Sequence, residues 1–600
     1  MKLSDYVVSF LEKNSIKDIF TLSGGFCLPL IDSISKSNIN YVCNLHEQAA
    51  SIGAEAYAQY NNTPGVCLVT AGPGGTNTVT GVASAWLDSI PIIFLSGQVQ
   101  SKDINKDKKV RQIGFQEIDM PSIVKSITKY STTVLDPHDI KKVLEEAWHL
   151  ATTGRPGPVW IEIPLDIQSY DININQLKDF KPPSKPDRKN ELKQKVDQFY
   201  SLLNNSNRPV ILAGNGIRLS KAEKSFIKMI EALNIPVLTT WKALDMIEED
   251  HPLFMGRPGL IAQRGANFVQ QTADLFISIG ARLDHGQTAF NHKNFAKNAK
   301  KIIVDIDPNE IKKMDFEINC FVDFDAKEFI EEVLKNKRKK DESLDIFGWK
   351  HPKWIKQCRE WKEKYPVILP EYKNLKDKVN NYVLIDVLSN LMKSTDLLIP
   401  GSSGCSSEVT MQAFKVKKGL RVFNSEGLGS MGFGIPSAIG GCIASKKNTI
   451  CLDGDGGFMM NVQELETVKR LNLPIKFFVL NNGGYVSIRN SQEKHFKSNF
   501  NASSEDTGVT LPKFQKIASS YNIKYYKLDN HNNIESNIQQ ILNEKGPVLC
   551  EVIMPHSQES FPRNSTYKKE DGTFISLPME DLLPLLDRDE FNKNMSIINV

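Results

Sequence analysis

Cysteine is sparse and unpatterned in this chain: nine in 600 residues, an odd number, with no Cys-x-x-Cys spacing. That argues against a disulfide framework or a thiolate zinc site and for reduced thiols in a cytoplasmic setting. An excess of one charge is also missing. The formal net charge is +4, too small over this length to mark a partner for nucleic acid or a membrane surface. The one dense basic run, from Lys335 to Lys340, reads as a solvated helix end. No apolar stretch reaches the roughly 18–20 residues that span a bilayer. The N-terminal segment MKLSDYVVSFLEKN is amphipathic and carries acids, unlike a secretory leader. It reads as a first helix with Ser4 as its N-cap. Cys27 and Cys405 lie among glycines and serines, but packing is the simpler reading of each.

What is present is length and a repeated α/β pattern. A chain this long divides into about three or four domains. Residues 1–170 alternate helical stretches with the short apolar runs DIFTL, VCLVT, PIIFLSG and VWIEIP, the pattern of a doubly wound parallel sheet. A linker rich in Lys, Asn and Pro is expected over 171–195. A second α/β unit is expected over 196–340, a charged linker over 341–375, and a third α/β unit over 376–555. The remainder, 556–600, reads as a tail that serves as a lid or packs on an edge.

The third unit carries the strongest chemical signal. Gly454-Asp455-Gly456 and Asn481-Asn482 are separated by 24 residues that read as turn, helix (about 461–471) and strand. Both clusters therefore fall just past the carboxyl ends of strands in one βαβ unit, the edge where open α/β sheets bind ligands. Asp455 and Asn482 offer the hard oxygens that Mg²⁺ prefers, and Mg²⁺ keeps phosphate oxygens in its shell. Gly454, Gly456 and Gly457 permit close backbone approach to a diphosphate. A lone Gly-Asp-Gly often marks only a turn; framed this way and closed by Asn-Asn, it is specific.

This pattern resembles the thiamine diphosphate (ThDP) motif, and nearly the whole chain resembles the acetolactate synthase group of ThDP enzymes. The resemblance implies three doubly wound domains, the first binding the aminopyrimidine and the third the diphosphate. It implies a homodimer or homotetramer with sites at the subunit interface. It implies Asp455, Asn482 and Gly484 as Mg²⁺ ligands. It places Gly401, Ser402, Ser403, Gly429, Met431, Tyr485 and Gly74 around the cofactor, with Met431 as the apolar wedge that bends it. Glu47, in NLHEQAASIG, takes the place of the carboxylate that meets the pyrimidine ring nitrogen. Phe115 and Gln116 would line the donor pocket, and Gly25 would face the reacting carbons. Lys129 is a weaker candidate. In the middle unit, AGNGIR, GARLD and VDIDP imply FAD, with Gly214, Arg282 and Asp284 as contacts and Asp305 or Asp307 on a hydroxyl.

The chain departs from acetolactate synthases after Asn482. Ser487 stands where Met is usual and Ser491 where a Trp shapes the acceptor pocket, with Ile488 between them. The SIRNSQ run and the tail are more similar to relatives of unusual-sugar biosynthesis, which join a two-carbon unit from pyruvate to a nucleotide-linked keto-sugar. The expected function is therefore pyruvate decarboxylation with two-carbon transfer to a carbonyl acceptor. Acetolactate formation, pyruvate oxidation and a catalytically inactive scaffold are the alternatives.

Overall fold

The apolar runs become the strands of three parallel sheets. The structure is a computed structural model that describes residues 1–105, 109–340, 351–402 and 404–599. The first sheet holds β1 (Asp18–Thr21), β2 (Asn40–Cys43), β3 (Gly65–Val69), β4 (Ile92–Gln98), β5 (Tyr130–Thr133) and β6 (Val159–Pro164). Its order is β2-β1-β3-β4-β6-β5. The second holds β7 (Pro209–Ala213), β8 (Val237–Thr239), β9 (Leu275–Ile279), β10 (Lys300–Val304) and β11 (Cys320–Val322), in the order β11-β10-β9-β7-β8. The third holds β12 (Leu397–Pro400), β13 (Arg421–Val422), β14 (Thr449–Gly454), β15 (Ile475–Asn481), β16 (Lys524–Leu528) and β17 (Val548–Ile553). Its order, β13-β12-β14-β15-β17-β16, repeats that of the first sheet strand for strand. β3, β4, β9 and β14 are buried along their whole length, as strands covered by helices on both faces should be.

Each sheet has a switch point where the strand order turns from one side to the other, and that switch opens a crevice at the carboxyl edge. It lies between β1 and β3 in the first sheet, β7 and β9 in the second, and β12 and β14 in the third.

Small residues join the first and third sheets within one chain. The helix Glu47–Asn61 buries Ala49, Ala50, Gly53, Ala54 and Ala58, and it packs on the helix Gly434–Ser445. Contact is backbone to backbone: a Cβ on Gly440 would sit 2.1 Å from the Gly53 carbonyl oxygen. One apolar core then runs through both units, from Phe20 and Phe94 to Phe458 and Phe477. The central unit has its own core around Phe199, Phe226 and Phe276. It is tied to the third by Asp245, whose side chain is fully buried between the guanidiniums of Arg218 and Arg421. Burial opposes ionisation of Asp245, but the two arginines and the Val422 N–H outweigh it and hold the carboxyl below its usual range.

Several sequence expectations change. Ser4 lies inside the first helix, Leu3–Lys13, and Lys2 is at its N-cap position. The Ser4 hydroxyl is buried and accepts a hydrogen bond from Ser33 instead. The helix expected near 461–471 is shorter, a 3₁₀ turn Val462–Glu464 followed by Leu465–Arg470. Of the expected linker 341–375, residues 341–350 lie outside the described residues. Within the rest, the helix Pro352–Lys364 buries Trp354, Ile355, Cys358 and Trp361 in the central core. The tail behaves as a packing segment: Met579 joins that core, and β18 (Thr566–Lys568) pairs antiparallel with β19 (Phe574–Ser576). No helix among the described residues is long and apolar enough to cross a membrane.

Candidate functional site

The third-sheet crevice is organised by one carboxylate. Asp455 follows β14 directly and is 1 % exposed. Its Oδ1 accepts the Gly456 N–H at 2.7 Å, and its Oδ2 accepts those of Asn482 at 3.1 Å and Gly484 at 3.0 Å. The side chain thus stitches the ends of β14 and β15 together. Burial pushes its carboxyl above the usual range, and the N–H groups of Gly484, Gly456, Asn482 and Gly483 pull it part of the way back. A divalent cation would relieve that burial cost, so the donor set fits Mg²⁺. Gly483 and Gly484 have φ of +73° and +125°, and a Cβ on Gly484 would meet the Ser503 carbonyl oxygen at 2.4 Å. The two glycines that follow Asn481-Asn482 are therefore required by backbone geometry.

The remaining third-unit candidates surround this point. Gly401 follows β12, and a Cβ there would strike the Asp453 carboxylate at 2.4 Å. The Ser402 hydroxyl donates to the Ser425 carbonyl oxygen at 3.2 Å. Ser403 lies outside the described residues. Gly454 ends β14, and Gly456 and Gly457 are buried in the short helix Asp455–Met459. The Tyr485 ring lies where a Cβ on Gly456 would be, 2.3 Å from that position. Gly429 is in an open loop with φ +62°. Met431 is half-buried beside Ser430, whose Oγ is buried with no hydrogen-bond partner among the described residues. A buried hydroxyl left without a partner suits a loop that meets a ligand.

The acceptor candidates sit on the helix Val486–His495. Ser487 points its Oγ toward Gly404, 2.1 Å from where a Cβ on that glycine would be. That places it at the start of the helix Gly404–Ala413. Ile488 is 48 % exposed. Ser491 is exposed, and its hydroxyl donates to the Ser487 carbonyl oxygen.

The first-sheet crevice collects the other candidates around Thr70. Gly24 and Gly74 are glycines because a Cβ on either would come within 2.6–2.8 Å of the Thr70 side chain. Gly25 opens a 3₁₀ turn, with nothing near the Cβ it lacks. Gly72, at φ +63°, packs on the Gln116 carbonyl oxygen, which brings Gln116 to the same edge. Glu47 begins its helix, is 8 % exposed, and accepts the Asn77 side-chain amide at 2.9 Å. Phe115 is 78 % exposed on the neighbouring turn. Glu117, which the sequence reading passed over, anchors that turn: its carboxylate accepts the N–H groups of Asn105 and Ile113, each at 3.1 Å. Asn77 was also missed, though it lies only three residues past Gly74. Lys129 is structural: its ammonium donates to the carbonyl oxygens of Thr153 and Arg155, and burial lowers it to about 8.

The central crevice opens into a cavity of about 1330 Å³ where the three units meet. Ser402, Gly404 and Gly429 reach it, as do Asp305, Arg282 and Asp284. Gly25, Glu47, Gly74, Phe115 and Gln116 do not line it. Burial pushes the Asp305 carboxyl up to about 6. The cavity exceeds the ~300–1,000 Å³ of ordinary small-molecule pockets. A buried acceptor on its wall, Asn424 Oδ1, has no partner among the described residues. Size and the open acceptor fit a dinucleotide such as FAD.

The glycines of that unit have a different cause. Gly214 and Gly216 pack on Gly280, with Cβ clashes of 2.1 and 2.7 Å, and the N–H groups of Gly214 and Gly216 are spent on Ile279 and Gly280. Arg282 donates to the Leu87 carbonyl oxygen and to Asp284, which also caps the turn His285–Thr288. Asp307 pairs with Arg155.

Comparison with known proteins covers most of the chain. Residues 402–552 match the thiamine pyrophosphate enzyme C-terminal TPP binding domain, residues 1–123 the N-terminal TPP binding domain, and residues 196–333 the central domain. The chain is 33 % identical over 569 residues to the acetolactate synthase large subunit of Cyanidium caldarium, covering 93 % of this chain and 94 % of that protein. It is 34 % identical over 564 residues to a probable acetolactate synthase large subunit of Methanococcus aeolicus, covering 92 % of each. It is 30 % identical over 567 residues to the acetolactate synthase isozyme 2 large subunit of Escherichia coli (strain K12), covering 94 % of this chain and 97 % of that protein.

Proposed function

Since the chain belongs to the acetolactate synthase family of thiamine diphosphate-dependent carboligases, we propose that it decarboxylates pyruvate and passes the remaining two-carbon unit to a carbonyl acceptor. Bound thiamine diphosphate supplies a nucleophilic carbon and an electron sink for loss of CO₂ from a 2-keto acid. The single observation that carries the assignment is Asp455, a buried carboxylate at the sheet's switch point whose oxygens order the Asn482 loop.

In this reading Asp455, Asn482 and the Gly484 carbonyl hold Mg²⁺. Gly401, Ser402 and Gly456 border the diphosphate. Glu47 holds a proton against the aminopyrimidine nitrogen. Gln116 orients the keto acid, Phe115 walls the donor pocket, and Met431 is the apolar wedge beneath the cofactor. FAD is proposed for the central cavity, through Asp305 and the open acceptor of Asn424. A homodimer or homotetramer is part of the proposal. The first-sheet candidates line no part of the cavity reached by the third-sheet ones, and Phe115, Ile113 and Val110 are 78, 58 and 56 % exposed. A second copy covering those apolar groups would complete the site.

The acceptor reading rests on the helix Val486–His495. Ser491 leaves the space of an indole open beside exposed Ile488, so the acceptor proposed is bulkier than a second keto acid, in the class of nucleotide-linked keto-sugars. Turnover with pyruvate as the only organic substrate tests this: CO₂ release should exceed acetolactate formation. Ser491→Trp should keep CO₂ release and lower transfer to a bulky keto acceptor by about 10–200-fold, the range that one apolar pocket change alters. Abundant acetolactate from the unmodified protein, or unchanged acceptor choice in the variant, would remove the bulky-acceptor reading.

A further inference from the structure

Arg489 is the most heavily bonded side chain near the crevice, and none of the roles above uses it. It lies in the first turn of the helix Val486–His495 and is 7 % exposed. Its Nη2 donates to the Asn482 carbonyl oxygen at 2.8 Å, to the Asn482 amide Oδ1 at 3.1 Å and to the His556 carbonyl oxygen at 2.7 Å. Its Nη1 donates to the carbonyl oxygens of Gly483 at 3.2 Å and Ser503 at 2.8 Å, and its Nε to that of His556 at 3.3 Å. None of these acceptors is a carboxylate. The negative charge felt most strongly is Asp455.

A guanidinium has donors and no acceptor, so whatever end of the Asn482 amide faces it must be the oxygen. The Asn482 Nδ2 is turned the other way, toward Cys405 Sγ at 3.9 Å. An amide oxygen has two lone pairs; one takes Arg489 and the other stays free for a cation. The same side chain fixes the backbone on both sides of that oxygen, at Asn482 and Gly483, and ties it to the start of the tail at His556. The Cβ that Gly484 lacks would also lie 3.2 Å from the Arg489 Nη1.

We propose that Arg489 is a positioning residue for the metal, holding the Asn482 amide oxygen in its ligating orientation and locking the metal loop to the helix that carries Ser487 and Ser491. The proposal rests on the reading of Asp455 and Asn482 as Mg²⁺ ligands. Its consequence is that metal loop, acceptor helix and tail move as one unit.

The test is a Mn²⁺ titration of the full-length protein with thiamine diphosphate, followed by electron paramagnetic resonance, for the unmodified chain, Arg489→Gln and Arg489→Lys. Circular dichroism and oligomer size establish that each variant is folded. Arg489→Gln should weaken Mn²⁺ binding by roughly 10–100-fold, the loss typical when the group that orients a metal ligand is removed. Arg489→Lys should recover part of it, because an ammonium can reach one acceptor but cannot span the fork; it also serves if the Gln variant does not fold. Dissociation constants within about twofold of the unmodified value, even with lowered thermal stability, would show that Arg489 only packs the loop and overturn the proposal. Absence of Mn²⁺ binding in the unmodified protein would remove the metal reading itself, and the Arg489 role with it.

Discussion

Glu47→Gln is expected to lower kcat by roughly 10²–10⁴-fold, the range lost with a positioned acid or base, while fold and cofactor binding persist. The substitution is isosteric. Glutamine keeps one oxygen to accept the Asn77 amide, now met by Glu47 at 2.9 Å. The neighbouring cap is untouched, because His46 Nδ1 accepts the Gln48 N–H at 3.0 Å. The helix also keeps its close packing on Gly434–Ser445. What is lost is the charge at the helix start that would hold a proton on the pyrimidine. The check is steady-state turnover beside thiamine diphosphate affinity; near-normal kcat would end the assignment of Glu47.

Asp455→Asn is expected to abolish Mg²⁺-dependent cofactor binding and to lower kcat/KM by more than about 100-fold, beyond the 10–100-fold typical for an outer-shell contact. Two effects combine. A metal ligand loses its charge. One of its two oxygens also becomes an NH₂ that must face N–H groups: Gly456 on one side, or Asn482 and Gly484 on the other. Each donor left unpaired there costs about 1–3 kcal/mol, so the Asn482 loop should loosen as well. Isothermal titration of Mg²⁺ with thiamine diphosphate present measures the loss. Binding as tight as in the unmodified protein would mean that the cation sits elsewhere.

Local rules made the third crevice readable. Gly483 and Gly484 adopt backbone angles that favour glycine, and Asp455 sits one residue past a buried strand, so pattern and geometry coincide. At Gly214 the same rules do not divide two causes: glycines that let two loops touch at Gly280 look in sequence like glycines that cradle a diphosphate. Side-chain partners inside loops were invisible: nothing in the residue pattern around Glu117 or Arg489 reveals that one pins the Phe115 turn and the other the Asn482 amide. The helix Pro352–Lys364 was legible in principle. Trp354, Cys358 and Trp361 share one face at helical spacing, but the surrounding lysines and glutamates gave the stretch the look of a linker. Ser4 failed as a cap because its hydroxyl found Ser33, 29 residues away.

The central claim is that the crevices of the first and third sheets hold one cofactor between two copies of the chain. A structure of the protein with thiamine diphosphate and Mg²⁺ tests it most directly. The account predicts the metal on Asp455 and Asn482, the diphosphate beside Gly401 and Gly456, and the aminopyrimidine within hydrogen-bond distance of Glu47 from the partner copy. A metal away from Asp455, or a cofactor with no contact to Glu47 of either copy, would contradict it.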